Sequence, residues 1–209
     1  MNLTVDKTLK WMTRVNEKIQ ANKAYLTSLD QAIGDGDHGI NMSRGFQEVV
    51  KKLSSSHYET VSDCFKDVAM TLMSKVGGAS GPIFGTAFLK MSMSVKGKES
   101  INQEEFTRAI DDAINGIIQR GKANEGDKTL LDVWMPILRV FQENDDINWN
   151  DADNTAKNAM EATKERLAKK GRAAYLKERS IGHIDPGSVS SYYLFQSLAE
   201  VMTKGDKNE

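Results

Sequence analysis

The stretch LDQAIGDGDHG, residues 29–39, places Asp30, Asp35, Asp37 and His38 within nine residues. Asp35 and Asp37 flank one glycine, and Gly34 and Gly39 bracket the stretch from Asp35 to His38. Like charges at this density repel one another unless a cation is shared among them. Carboxylate oxygens are the hard ligands that Mg2+ and Ca2+ prefer, and glycines let the backbone turn tightly enough for side chains to converge. The EF-hand frame D-x-D-x-D-G with its late glutamate is missing, so that arrangement is excluded. Helix capping is the simpler use: Asp37 could cap a helix beginning near His38. Capping accounts for one aspartate well and for three poorly. Asp30, Asp35 and Asp37 therefore read as a dication site of the kind that also holds phosphate oxygens. His38 beside them could contact a phosphate or orient a ligand.

Three further loops carry suggestive chemistry. In GGASGP, residues 77–82, small side chains let backbone N–H groups approach a ligand. The helix start that follows offers free donors and a positive dipole end. No G-x-x-x-x-G-K-[ST] and no G-x-G-x-x-G is present. A glycine helix end followed by a Pro-started helix explains the same letters, but beside a carboxylate cluster phosphate binding is the better reading. GKANEGDKT offers Asp127 or Thr129 as a helix cap. GRAAYLKERSIGHIDPG is long for a helix connection and sits in a basic stretch with Lys169, Lys170, Arg172, Lys177 and Arg179. Such a segment is either a lid that forks phosphate oxygens with arginine or a solvated charge run.

Helices must position these loops, because period-2 patterns are nearly absent and helical spacing recurs. Eight segments are predicted: 5–21, 39–54, 61–76, 82–95, 103–120, 129–143 with a possible kink at Pro136, 151–169 and 186–203. In the third, Phe65, Val68, Leu72, Met73 and Val76 follow the i, i+3, i+4, i+7 rule. Short connections favour antiparallel neighbours, so alternate loops of an up-and-down bundle share one end. The odd-numbered loops hold every motif above, whereas SSSHYE, KGKESIN and NDDINWN are ordinary polar connectors. One end of an all-α bundle is expected to carry the site.

The 209 residues, 39% hydrophobic and 27% charged, suit one domain spanning 1–209, with a frayed tail at 204–209. A net charge of −1 offers no field for nucleic acid or an anionic membrane. Neither a membrane span nor a signal peptide is visible, and a lone Cys64 rules out an internal disulfide, so a cytoplasmic location is expected. His57 falls in an even loop and His183 in the lid segment.

Four motifs in order, GDGDHGINMSRGF, GGASGPIFGTAF, GDKTLLDVWMP and GRAAYLKERSIGHIDPGS, resemble the nucleotide-binding L subunit of dihydroxyacetone kinase. The likeness runs from about Leu29 to Ser191. It implies an eight-helix antiparallel barrel with nucleotide at one end. It also implies that Asp30, Asp35 and Asp37 hold two Mg2+ ions bridging the phosphates of ADP or ATP. By the same resemblance His38, Gly39, Ile40 and Asn41, with Gly78, Ala79 and Ser80, contact the nucleotide. Gly121 and Leu130 lie around its base, and Arg172, Asp185, Pro186 and Gly187 come from the lid.

In one arrangement of the family this domain is fused to a K domain that binds dihydroxyacetone. In the phosphoenolpyruvate-dependent arrangement the K and L subunits are separate chains. ADP then stays on L, is rephosphorylated by the phosphohistidine of the phosphotransferase-system M subunit, and passes its phosphoryl group to dihydroxyacetone on K. A chain of 209 residues has no room for a K domain, so the second arrangement is expected, with activity only beside K and M. No general base is assigned within this chain. The alternatives are an ATP-dependent kinase subunit for another small ketose or carrier-bound substrate, and a nucleotide-dependent regulatory protein that binds a transcription regulator.

Overall fold

The polar residue before a helix decides where that helix can start, because the first N–H groups need acceptors. Thr4, Thr60, Asn102 and Asn148 each supply one, and they open α1 (Val5–Ala21), α4 (Val61–Lys75), α6 (Gln103–Gly121) and α8 (Trp149–Ala162). Asn102 forms a full capping box with Glu105. The computed structural model of the chain describes residues 1–144 and 146–205, so part of the tail expected at 204–209 lies outside the described residues. The other helices are α2 (Lys23–Ile33), α3 (His38–Ser54), α5 (Ser80–Ser94), α7 (Leu131–Glu143) and α9 (Pro186–Gly205).

Successive helices pack on one another from α3 through α9, and α9 closes back onto α1, which also packs on α3. The fold is all-α, with a closed ring of helices. A short antiparallel pair, β1 (Asn2–Thr4) with β2 (Ser100–Asn102), puts the starts of α1 and α6 at the same end. The connections after α3, α5 and α7 are tied together there: the Val61 amide donates to the Lys98 carbonyl, and Gln103 Nε2 to that of Asn144. Inside the ring Trp11 meets Phe65, Phe88 and Phe106 at centroid distances of 6.1 Å, and its indole N–H donates to the Leu194 carbonyl on α9. One main core draws side chains from every helix.

Two expectations need correction. Among the described residues there are nine α-helices rather than eight, because α2 follows α1 after a break at Asn22 and packs on the same neighbours, α3 and α9. And α8 stops at Ala162, well short of 169. Buried Thr163 donates its hydroxyl to the Met160 carbonyl and accepts the Asp185 amide, which turns the chain into the 163–185 segment. That segment contains short 3-10 turns at Thr163–Glu165 and Arg172–Ser180. Pro136 lies inside α7.

Candidate functional site

The four motif-bearing connections meet at one end of the ring. Together with the adjoining helix ends they line a cavity of about 470 Å³, within the ordinary range for a small-ligand pocket.

Asp30 stands in the last turn of α2 and is only 8% exposed. Its Oδ2 accepts the amides of Asp37 at 2.9 Å and His38 at 3.0 Å. The start of α3 is thus capped by Asp30, from the preceding helix, and not by Asp37, whose side chain makes no capping bond. Capping therefore does not use up the cluster. One oxygen from each of Asp30, Asp35 and Asp37 lies within 4.8 Å of the others. A Cβ at Gly34 would overlap the Asp30 carboxylate, so the turn can fold back over it only without a side chain. From the lid, Arg172 reaches Asp35 at 2.9 Å. A group of convergent hard oxygens facing a cavity is a fitting donor set for Mg2+.

His38 is buried between two serines, with Nε2 2.8 Å from Ser190 Oγ and Nδ1 3.2 Å from Ser80 Oγ. Burial pushes its pKa down to about 4, against the pull of Asp30 and Asp37. The ring is then neutral near pH 7, with one donor and one acceptor nitrogen. It locks the start of α5 to α9. One turn along α3, Asn41 Oδ1 accepts from Arg44 Nη2 at 2.9 Å, and Arg44 Nε donates to the Lys75 carbonyl at 2.9 Å. With its oxygen so engaged, the amide keeps N–H donors for a ligand.

The helix starts at this end are answered differently from one another. Asp30 serves α3, Asp185 accepts the Ser188 amide of α9 at 2.6 Å, and Thr129 accepts the Leu131 amide of α7 at 3.3 Å. No described side chain caps α5, which begins directly after the glycine-rich turn. Its free donors and positive dipole end suit an anion. The cavity also has an apolar lining, formed by Ile83 and Phe84 in the first turns of α5 with Ile117, Ala123 and Leu130.

Of the residues singled out in the sequence, Asp30, Asp35, Asp37, His38 and Asn41 line the cavity, as do Gly78, Ala79, Ser80, Gly121 and Leu130. Arg172, Asp185, Pro186 and Gly187 line it as well. Burial pushes the Asp185 carboxyl up to about 6. Gly39 and Ile40 are not part of the lining. Gly39 instead lets α3 approach α2, since a Cβ there would overlap the Lys23 carbonyl and the Thr27 side chain. Ile40 is 47% exposed. Asp127 accepts the Asn124 amide and so caps a turn rather than a helix. His57 and His183 are exposed, and Cys64 is buried with its thiol pushed up to about 12 by desolvation. Sequence reasoning missed Ile83 and Phe84, although they directly follow GGASGP, and also Ile117, Lys128 and Ser190.

The DAK2 domain model matches residues 32–200. The chain belongs to the DAK2-domain family. This DAK2 chain is 51% identical over 200 residues to the PTS-dependent dihydroxyacetone kinase ADP-binding subunit DhaL of Lactococcus lactis, covering 96% of this chain and 99% of that one. It is 46% identical to the corresponding subunit of PEP-dependent dihydroxyacetone kinase 1 of Listeria innocua, with 95% and 98% covered. The Escherichia coli DhaL subunit is 41% identical, again with 95% and 98% covered. The solved dihydroxyacetone kinase of C. freundii shares the fold with a TM-score of 0.73 at 23% identity. That match covers 92% of this chain and 34% of that one, so the DAK2 chain spans about a third of it. A second structure of the same kinase, in complex with AMP-PNP and Mg2+, also superposes with a TM-score of 0.73 at 22% identity.

Proposed function

We propose that this chain is the ADP/ATP-binding subunit of a phosphoenolpyruvate-dependent dihydroxyacetone kinase, a single cytoplasmic domain that works only beside K and M subunits. One observation carries the reading: a carboxylate triad and the start of α5, which no described side chain caps, face the same cavity, and apolar side chains line the rest of it. Negative groups that hold a dication, bare N–H donors and an apolar slot are what a magnesium-bound nucleotide requires. The kinship with DhaL subunits supports the same conclusion.

When bound, ADP would take a phosphoryl group from the phosphohistidine of M and hand it on to dihydroxyacetone held on K, with two Mg2+ ions neutralising phosphate charge. Asp30, Asp35 and Asp37 would hold the metal. Backbone donors at residues 78–80, the Ser80 hydroxyl fixed by neutral His38, and the Asn41 amide would take phosphate oxygens. Arg172 would add positive potential from the lid. Gly121, Leu130, Ile83 and Ile117 would enclose the base. Phosphoryl transfer asks mainly for alignment and charge neutralisation, so the acceptor's activating groups belong to K.

Native mass spectrometry of the purified chain should find ADP and Mg2+ retained. Dihydroxyacetone phosphate should form only when K, M and phosphoenolpyruvate are all supplied. Efficient turnover with exchangeable ATP and K alone would overturn the ADP-cofactor reading.

A further inference from the structure

Lys128 combines two local costs. It is 1% exposed, and its backbone is left-handed at φ 62°, a region that a residue with a side chain disfavours. Among the described residues no carboxylate lies within ion-pair distance of its ammonium. The charge is met instead by two backbone carbonyls, those of Arg166 and Ser180. Burial holds this amine below the ordinary lysine range. Costs of this kind persist where the surrounding structure has a use for them.

The use is visible in what the ammonium grips. Arg166 and Ser180 are the two stems of the lid, one on each side of residues 171–179. The stems are also joined directly, because the Ala168 amide donates to Ser180 Oγ at 3.0 Å. The Lys169 amide donates to the Asp127 carbonyl at 3.1 Å, and Arg166 pairs with buried Asp132. Asp132 in turn accepts the amides of Gly126 at 2.5 Å and Thr129 at 2.6 Å, shaping the turn that presents Lys128. The lid tip is held far more lightly. It relies on the Arg172–Asp35 pair, whose side chains are 68% and 35% exposed, and on a small cluster of Ile33, Ala168 and Ala173. Residues 170–173 nevertheless line the cavity, as Lys128 itself does.

We propose that Lys128 is a positioning residue that, by gripping both lid stems from below, sets where Gly171 and Arg172 stand over the cavity and so governs how fast a bound nucleoside diphosphate escapes. The inference rests on the nucleotide reading above. It assigns no contact between Lys128 and the ligand.

The test uses the full chain, freed of endogenous nucleotide and loaded with a fluorescent ADP analogue and Mg2+. Lys128→Met keeps the side-chain length and removes the donors. Losing charge-assisted hydrogen bonds at the stems should speed analogue release by about tenfold, with association nearly unchanged. Hydrogen exchange should accelerate across residues 164–182 and not in α4 or α5. Should Lys128→Met fail to fold, Ser180→Ala, which removes the stem-to-stem hydroxyl, must show the same pattern in weaker form. Release within twofold of wild type overturns the inference, and so does faster exchange throughout the ring, which would make Lys128 a general stabiliser. A wild-type chain that binds no analogue overturns the nucleotide reading and this inference with it, whereas unchanged lid exchange in Lys128→Met overturns the stem clamp alone.

Discussion

Asp35→Asn separates function from stability because the two effects carry opposite signs. In the metal-free chain, Asp35 faces Asp30 and Asp37 with oxygens within 4.8 Å. Each such like-charge pair costs at least about 0.9 kcal/mol at the dielectric of water and about 3.5 kcal/mol at an effective dielectric of 20. Asp35 lies near the surface, so the lower figure applies, and removing its charge relieves roughly 1.7 kcal/mol over two pairs. The lost Arg172 pair is half exposed and offsets about 0–1 kcal/mol of this. The net is a gain of about 1 kcal/mol, or about 2–4 °C in melting temperature for a domain of this size. Thermal unfolding at low salt in EDTA should therefore show Asp35→Asn melting above wild type. Adding Mg2+ and ADP should raise the wild-type transition strongly and the variant's hardly at all, because one of the three carboxylate donors is gone. A variant that melts several degrees lower in EDTA, or gains the full wild-type increment from Mg2+ and ADP, would refute the shared-cation argument.

Other perturbations test other links. Gly39→Ala should lower stability by about 1–3 kcal/mol in urea unfolding, because the new methyl must push α3 off the backbone of α2. Trp134→Phe should cost about 1–3 kcal/mol, since it strips the indole N–H from the buried Ser191 hydroxyl. Asp185 should leave a mark on the pH dependence of stability. Its carboxyl keeps a proton up to about pH 6 in the folded chain against 3.8 for the free group, so the native state binds more protons between these values. Its contribution to stability must then fall as pH rises through that window, and Asp185→Asn should flatten this part of the profile. Cys64 should stay unreactive towards a thiol reagent until the chain unfolds, as its burial and raised pKa require.

Periodicity made the long helices legible, because α3, α4 and α6 present apolar stripes to the core at helical spacing. It hid α2, whose inward positions are Leu26, Asp30 and Ile33. An inward carboxylate counts as polar in any pattern, so the residue that exposed the site concealed its own helix. At α8 the sequence KERLAKK keeps good helix formers running, and propensity alone continues the helix. Tertiary bonds through Thr163 end it, and they depend on Asp185, far along the chain. The aspartates and glycine loops stood out because their chemistry is hard to explain otherwise. The role of Lys128 could not be read, because its partners are backbone carbonyls, which every residue carries.

The two ends of the ring show why the site lies where it does. At the end shared by α1, α4, α6 and α8, every helix start is closed by the residue just before it, a threonine or an asparagine. Such caps are neutral and local, and each takes up one or two of the first N–H groups of its helix. At the other end an up-and-down chain must bring together the starts of α3, α5, α7 and α9, and with them four positive dipole ends. Asp30 and Asp185 answer two of these with charge, and Thr129 answers a third. The start of α5 stays bare, beside three carboxylates that would repel an anion without a dication between them. The arrangement therefore discriminates: an anion alone meets the aspartates, a metal alone lacks a partner for α5, and a metal-bound phosphate satisfies both. Affinity for Mg2+ and for ADP should accordingly be strongly coupled, each weak without the other. Titrations of each with the other withheld would detect independent binding, which would be incompatible with a bare helix start and a carboxylate triad acting as one site.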